Sequence, residues 1–162
     1  MSEAIEATVL PFPGTEVKKT SSHERIWGKA VLKHGYTAIP SILIQAQSRL
    51  GISPLQLNIL IQLLDYWHEP ERKPFPTKDQ LAKRISVTAK TIQINIRALE
   101  KAGLVRREGR RTASGDWNSN IYHLDGLVDR IRAVEPDFAK AKEEAREAKQ
   151  RAETPVGKRP RK

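Results

Sequence analysis

Residues 77–107, TKDQLAKRISVTAKTIQINIRALEKAGLVRR, decide the fold. Thr77 and Gln80 stand at the spacing where a threonine hydroxyl caps a helix and a glutamine reaches back to the cap amide. Leu81 and Ile85, with Ala82 beside them, give this short helix one apolar face. A brief connection, Ser86 to Ala89, follows. Thr88 then caps a longer helix over 88–102, in which Ile92, Ile96 and Leu99, with Ala102 just after, recur at helical spacing until Gly103 closes it. Ile92, Ile94 and Ile96 also alternate as a strand would, but the length of the run, the cap-like Thr88 and the flanking Ala and Glu favour helix.

Working outward, Leu104 to Arg111 (LVRREGRR) and Asn120 to Leu124 (NIYHL) are two short runs around a loop with turn residues Ser114, Gly115 and Asp116. They read as a β-hairpin. Trp117 in the loop either packs the hairpin down or serves as a surface contact. Upstream, Ser53, Pro54 and Gln56 open a second capping-box helix, expected over 53–68. Its polar stripe is narrow, only Asn58, Gln62 and Asp65, which makes it the central strut of the domain or part of a dimer interface. Segment 36–50 reads as a further helix, with Pro40 at its start and Gly51 as its stop.

The ends have less to bury. Residues 1–24 read as a disordered leader, and 154–162 as a basic tail without a core. Residues 125–134 read as a short helix interrupted by Pro136, followed from Phe138 by an exposed helix. Phe138, Ala141, Ala145, Ala148 and Ala152 form a heptad seam of small residues, either a weak helix pair between two copies or one face of a solvated helix. The expected organisation is therefore a leader (1–24), a folded domain (25–124), a helical extension (125–153) and a tail (154–162).

The charge is concentrated. Of a net +10, the 29 residues from Lys83 to Arg111 supply +7, with nine basic and two acidic side chains. Such a field attracts polyanions and speeds association with them.

The helix geometry says which residues would meet a polyanion. At 100° per residue, Lys90, Ile94, Arg97 and Lys101 lie opposite the apolar side, flanked by Thr91 and Gln93. A helix fits the DNA major groove, where Lys90 and Arg97 would meet phosphate or guanine and Gln93 adenine. Ile94 would touch a thymine methyl or pack against a neighbour. Arg106, Arg107, Arg110 and Arg111 lie along the hairpin, where alternation lets about half of them face one duplex.

The run VTAKTIQINIRALEKAGLVRR resembles the recognition helix and first wing strand of bacterial winged-helix DNA-binding proteins. In that family a capping Ser/Thr, a Thr-apolar pair and a Leu-Glu-x-Ala-Gly-Leu end recur. PTKDQLAKRI resembles their second helix and NIYHL their returning wing strand, so the likeness spans about residues 53–124. GYTAIPSIL resembles the lead-in of small plasmid and phage replication initiators. The resemblance implies a mainly α fold with a small β-hairpin wing, a winged helix-turn-helix carrying a C-terminal helical extension. It also implies a double-stranded DNA partner and a role in transcriptional regulation or replication initiation. Recognition would fall to the 88–102 helix, with Thr88 at its cap, and phosphate anchoring to Lys78 and the wing arginines.

Other classes find little support. The chain has no cysteine, which excludes disulfides, thiolate metal sites and Cys nucleophiles. His23, His34, His68 and His123 are scattered without metal spacing, and Gly103, Gly109 and Gly115 read as caps and turns. No catalytic pairing stands out, so neither an enzyme nor a cofactor or small-molecule ligand is expected. No run approaches the roughly 18 apolar residues of a membrane span, and the first residues lack a signal peptide's basic start, so a cytoplasmic, nucleoid-associated protein is expected. The main alternative is a winged helix used as a protein-interaction module, motivated by Ile94 and the apolar 53–68 helix.

Overall fold

In the computed structural model, residues 21–111 and 117–154 are described. The leader up to residue 20, the hairpin loop 112–116 and the tail from 155 lie outside them, as do the side chains of Arg111, Trp117 and Asn118. The two roles weighed for Trp117 therefore fall outside the description. The chain divides into two compact units, residues 1–36 and 37–162.

The first unit holds α1 (Ser22–Leu32), capped by the Ser21 hydroxyl accepting from the Glu24 amide. Residues 21–24, read above as leader, are thus a cap and first helical turn. Gly28 steps out of helical backbone at φ 77°, a conformation open to glycine because it has no Cβ, and breaks α1 in two. The His23 ring stacks on Tyr36.

The second unit is built around the quoted stretch. It runs α2 (Ser41–Gln45), α3 (Pro54–Asp65), α4 (Lys78–Ile85), α5 (Ala89–Lys101), β1 (Arg106–Arg111), β2 (Trp117–His123) and α6 (Asp125–Glu153). Both capping boxes form. Ser53 and Gln56 exchange bonds of 3.2 and 2.9 Å, and Thr77 and Gln80 bonds of 3.1 and 2.8 Å. At the end of α5, the Gly103 amide donates to Glu100 O and the Leu104 amide to Leu99 O, with Gly103 at φ 71°. These are the two bonds of a Schellman stop.

Three more expectations change. The helix expected from Pro40 to a stop at Gly51 is only α2: Pro40 is its N-cap, and after Gln45 the chain turns tightly from Ala46 to a positive-φ Gly51. The 53–68 helix ends at Asp65, with Tyr66 as its cap. Pro136 does not interrupt the C-terminal helix: α6 runs through it. A proline inside a helix removes one amide donor and crowds the preceding turn. Here Leu127 and Val134 are buried ahead of it, Arg49 ion-pairs with Asp137 just after it, and the Ala/Glu/Lys/Arg run beyond has high helix propensity.

The core lies where α3, α4 and α5 meet the hairpin. It joins Leu43 and Ile52, Ile59, Leu60 and Leu63 of α3, Leu81 and Ala82 of α4, and Ile92, Ile96 and Leu99 of α5. Leu104, Val105, Tyr122, Leu124 and Leu127 close it from the hairpin and the start of α6. The Tyr122 amide donates to Pro74 O at 2.8 Å, which binds the α3–α4 loop along the outer edge of β2. α3 is the strut its composition implied, with three side chains wholly buried.

Candidate nucleic-acid interface

The turn between α4 and α5 fixes the candidate reading helix. Ser86 takes a left-handed conformation (φ 57°), and the Val87 amide reaches back to Ala82 O at 3.0 Å. The Thr88 hydroxyl then accepts from the Thr91 amide at 3.1 Å and lies 2.9 Å from the Thr91 hydroxyl. Both threonines are therefore engaged in starting α5. With Ile92, Ile96 and Leu99 buried, the opposite side of the helix is turned outward. Lys90, Ile94, Arg97 and Lys101 are exposed and Gln93 is half-buried. Ile94 is 55% exposed, a large apolar side chain among cations. Among the described residues, no ion pair holds Lys90, Arg97 or Lys101. Lys78 is the first residue of α4 and half-buried.

The wing pairs Arg106 with His123, Arg107 with Tyr122 and Gly109 with Asn120, then shifts register so that Arg111 faces Trp117. Its arginines separate. Arg107 turns back onto α5, where Nε and Nη2 both donate to the Glu100 carboxylate, at 2.7 and 2.5 Å. That bond holds Glu100 below the ordinary carboxylate range and Arg107 above its own usual value. Arg107, grouped above with the DNA contacts, is thus occupied at the junction of wing and helix. Alternation aims it inward and a carboxylate waits there. Arg106 lies 3.7 Å from Glu108, which also meets His123 at 2.9 Å. Arg110 sits over the Phe75 ring, 4.9 Å from its centroid.

Glu100, Phe75 and Arg72, which also faces Phe75, escaped the sequence reading. Nothing in linear spacing places a loop phenylalanine against a wing arginine. In the extension, Ala141, Ala145, Ala148 and Ala152 are exposed and Phe138 half-buried. Among the described residues, no three metal-binding side chains come together, and no helix is long and apolar enough to cross a membrane.

A family profile described as a helix-turn-helix domain matches residues 50–105. That span runs from the turn before α3 to the start of the wing. Among solved structures, the N-terminal domain of the DnaD protein from Geobacillus kaustophilus is similar, with a TM-score of 0.50 at 22% identity over 72% of this chain and 93% of that one. A possible transcriptional regulator from Methanosarcina mazei has a TM-score of 0.42 at 19% identity, over 66% of this chain and 85% of that one. MarR has a TM-score of 0.38 at 20% identity, over 77% of this chain and 80% of that one. No curated protein sequence matches the chain. Fold and profile together define the class: residues 50–105 carry a helix-turn-helix domain, and with the β1–β2 hairpin the fold is a winged helix-turn-helix.

Proposed function

We propose that the chain binds double-stranded DNA in a sequence-selective manner, as a regulator of transcription or as a protein of replication initiation, working in the cytoplasm on the nucleoid. α5 enters the major groove, while Lys78 and the wing arginines Arg110 and Arg111 anchor on phosphates. The observation that carries this reading is the division of α5. One side is buried in the core, and the other holds exposed Lys90, Ile94, Arg97 and Lys101 with Gln93 beside them. Lys90 and Arg97 supply donors suited to guanine or phosphate, Gln93 suits adenine, and Ile94 suits a thymine methyl. The role is binding, and no catalytic step belongs to it.

The test is fluorescence anisotropy of the full chain with a mixed-sequence duplex across a salt series. With about five phosphate contacts, log K falls against log salt with a slope near −4.5. A flat response removes the groove reading. Ile94, exposed amid cations, also supports a second reading, docking on a protein partner. A nuclease-treated pull-down that recovers one stoichiometric protein would favour it. Pairing of two copies along the Phe138–Ala152 seam is checked by sedimentation, where a chain ending at Glu135 would lose the dimer.

A further inference from the structure

A cleft of about 510 Å³ opens among the end of α3, the loop after it, the first turn of α4 and the wing, lined by Tyr66, Glu69, Arg72, Phe75, Gln80 and Arg110 among others. Its volume is in the range that takes a small group or part of a larger ligand. Phe75 organises it. The guanidinium of Arg72, from the loop, lies 5.8 Å from the ring centroid, and that of Arg110, from the wing, 4.9 Å. An aromatic face attracts cations through its quadrupole, so one ring draws together two like charges from distant parts of the chain.

Other arginines at element junctions are neutralised: Arg49 by Asp137, Arg84 by Asp65 and Arg107 by Glu100. Among the described residues, no carboxylate lies within ion-pairing distance of Arg72 or Arg110. Glu69 also lines the cleft, but one carboxylate against two guanidiniums leaves its described lining positive. Two guanidinium forks that face one cavity without a carboxylate partner among the described residues are suited to a phosphate, which takes paired N–H donors.

We propose that this cleft is a phosphate site in which Arg72 and Arg110 grip one backbone phosphate of a bound duplex, with Phe75 positioning both. The assignment rests on the DNA-binding reading above. The cleft lies between the first turn of α4 and the wing, the two elements to which that reading already gives phosphate contacts. Arg72 brings the α3–α4 loop into the same interface. The phosphate of a free nucleotide shares this chemistry, and the experiment separates the two.

Salt-series anisotropy on the full-length wild type, R72Q, F75L and a control, K142Q on α6, is the first arm. R72Q and F75L are expected to reduce the slope by about 0.9, one phosphate contact, while K142Q leaves it unchanged. F75L removes no charge, so its effect reports positioning. If the wild type binds steeply and both variants keep its slope, the site is overturned and the DNA reading stands. If the wild type shows no salt-dependent binding, the DNA reading fails and the duplex assignment with it. Calorimetry with 5′-AMP is the second arm. Heat in the wild type that R72Q loses, without a change in duplex slope, assigns the cleft to a free nucleotide and overturns the duplex source. No heat and no slope change overturn the phosphate site altogether.

Discussion

Arg107 on β1 and Glu100 on α5 are joined three times: Nε to Oε1 at 2.7 Å, Nη2 to Oε2 at 2.5 Å, and the Arg107 amide to Oε1 at 3.3 Å. The wing is thereby tied to the last turns of the helix whose outer face carries the proposed recognition residues. A forked, charge-assisted pair that is mostly buried contributes more than an exposed one. Glu100→Gln is expected to lower stability by about 1 kcal/mol and to speed hydrogen exchange at β1 amides, while leaving the α3 amides slow. Urea denaturation and amide exchange check this. Unchanged β1 exchange would show that the sheet pairing alone holds the wing.

Among the described residues, acid should act through three carboxylates. Asp65 is held below its ordinary value by hydrogen bonds from Thr37 and Arg84, Glu100 by its bonds from Arg107, and Asp125 by Lys73. For each, the folded pKa lies below the unfolded one. The stability it contributes is present above the ordinary carboxylate range and is lost as pH falls through the lowered folded value. The urea midpoint of the wild type should therefore drop between pH 7 and about pH 3.5. In Asp65→Asn, which cannot titrate at that site, the drop should be smaller. Equal drops in both proteins would show that Asp65 contributes nothing to the linkage.

A steric prediction concerns the start of α6. A Cβ on Gly126 would stand 2.0 Å from Gly103 O, and the next residue, Leu127, donates its amide to Leu104 O at 3.0 Å. Gly126 thus lets the C-terminal helix lie directly on the turn that ends α5. Gly126→Ala is expected to destabilise the fold by about 1–3 kcal/mol, the usual cost of overpacking. Thermal denaturation should show a lower Tm for this variant and little change for Ala133→Ser, on the exposed side of the same helix.

The contrast between these features and the caps shows what a sequence discloses. Ser53 with Gln56, Thr77 with Gln80, Thr88 and Gly103 act within one or two turns of chain, so residue type and spacing suffice to place them. The buried face of α5 was legible for the same reason, since Ile92, Ile96 and Leu99 obey one period. The Glu100–Arg107 clamp depends on where β1 falls against α5. The Phe75 pair depends on a loop carried alongside β2 by the Tyr122–Pro74 bond. Neither leaves a period to read. Pro136 misled because its local cost is real, while the ties that outweigh it, Val134 in the core and Arg49 on Asp137, come from tertiary packing.

The division of labour between α5 and the wing gives the last prediction. Arg97 is exposed on α5 with half-buried Gln93 beside it, the positions to which the proposal gives base edges, whereas Arg110 stands on the wing, to which it gives the backbone. Base contacts carry sequence information and phosphate contacts do not. Arg97→Ala and Gln93→Ala should therefore reorder affinities among duplexes chosen by in vitro selection, by about 1–3 kcal/mol at the position each reads. Arg110→Ala should weaken every duplex by a similar factor and flatten the salt slope by about one contact. The check is competition binding of wild type and variants against a panel of selected and scrambled sites at fixed salt. Arg97→Ala that leaves every affinity untouched would show that α5 does not face the groove. Arg110→Ala that reorders the panel would move base readout from the helix to the wing.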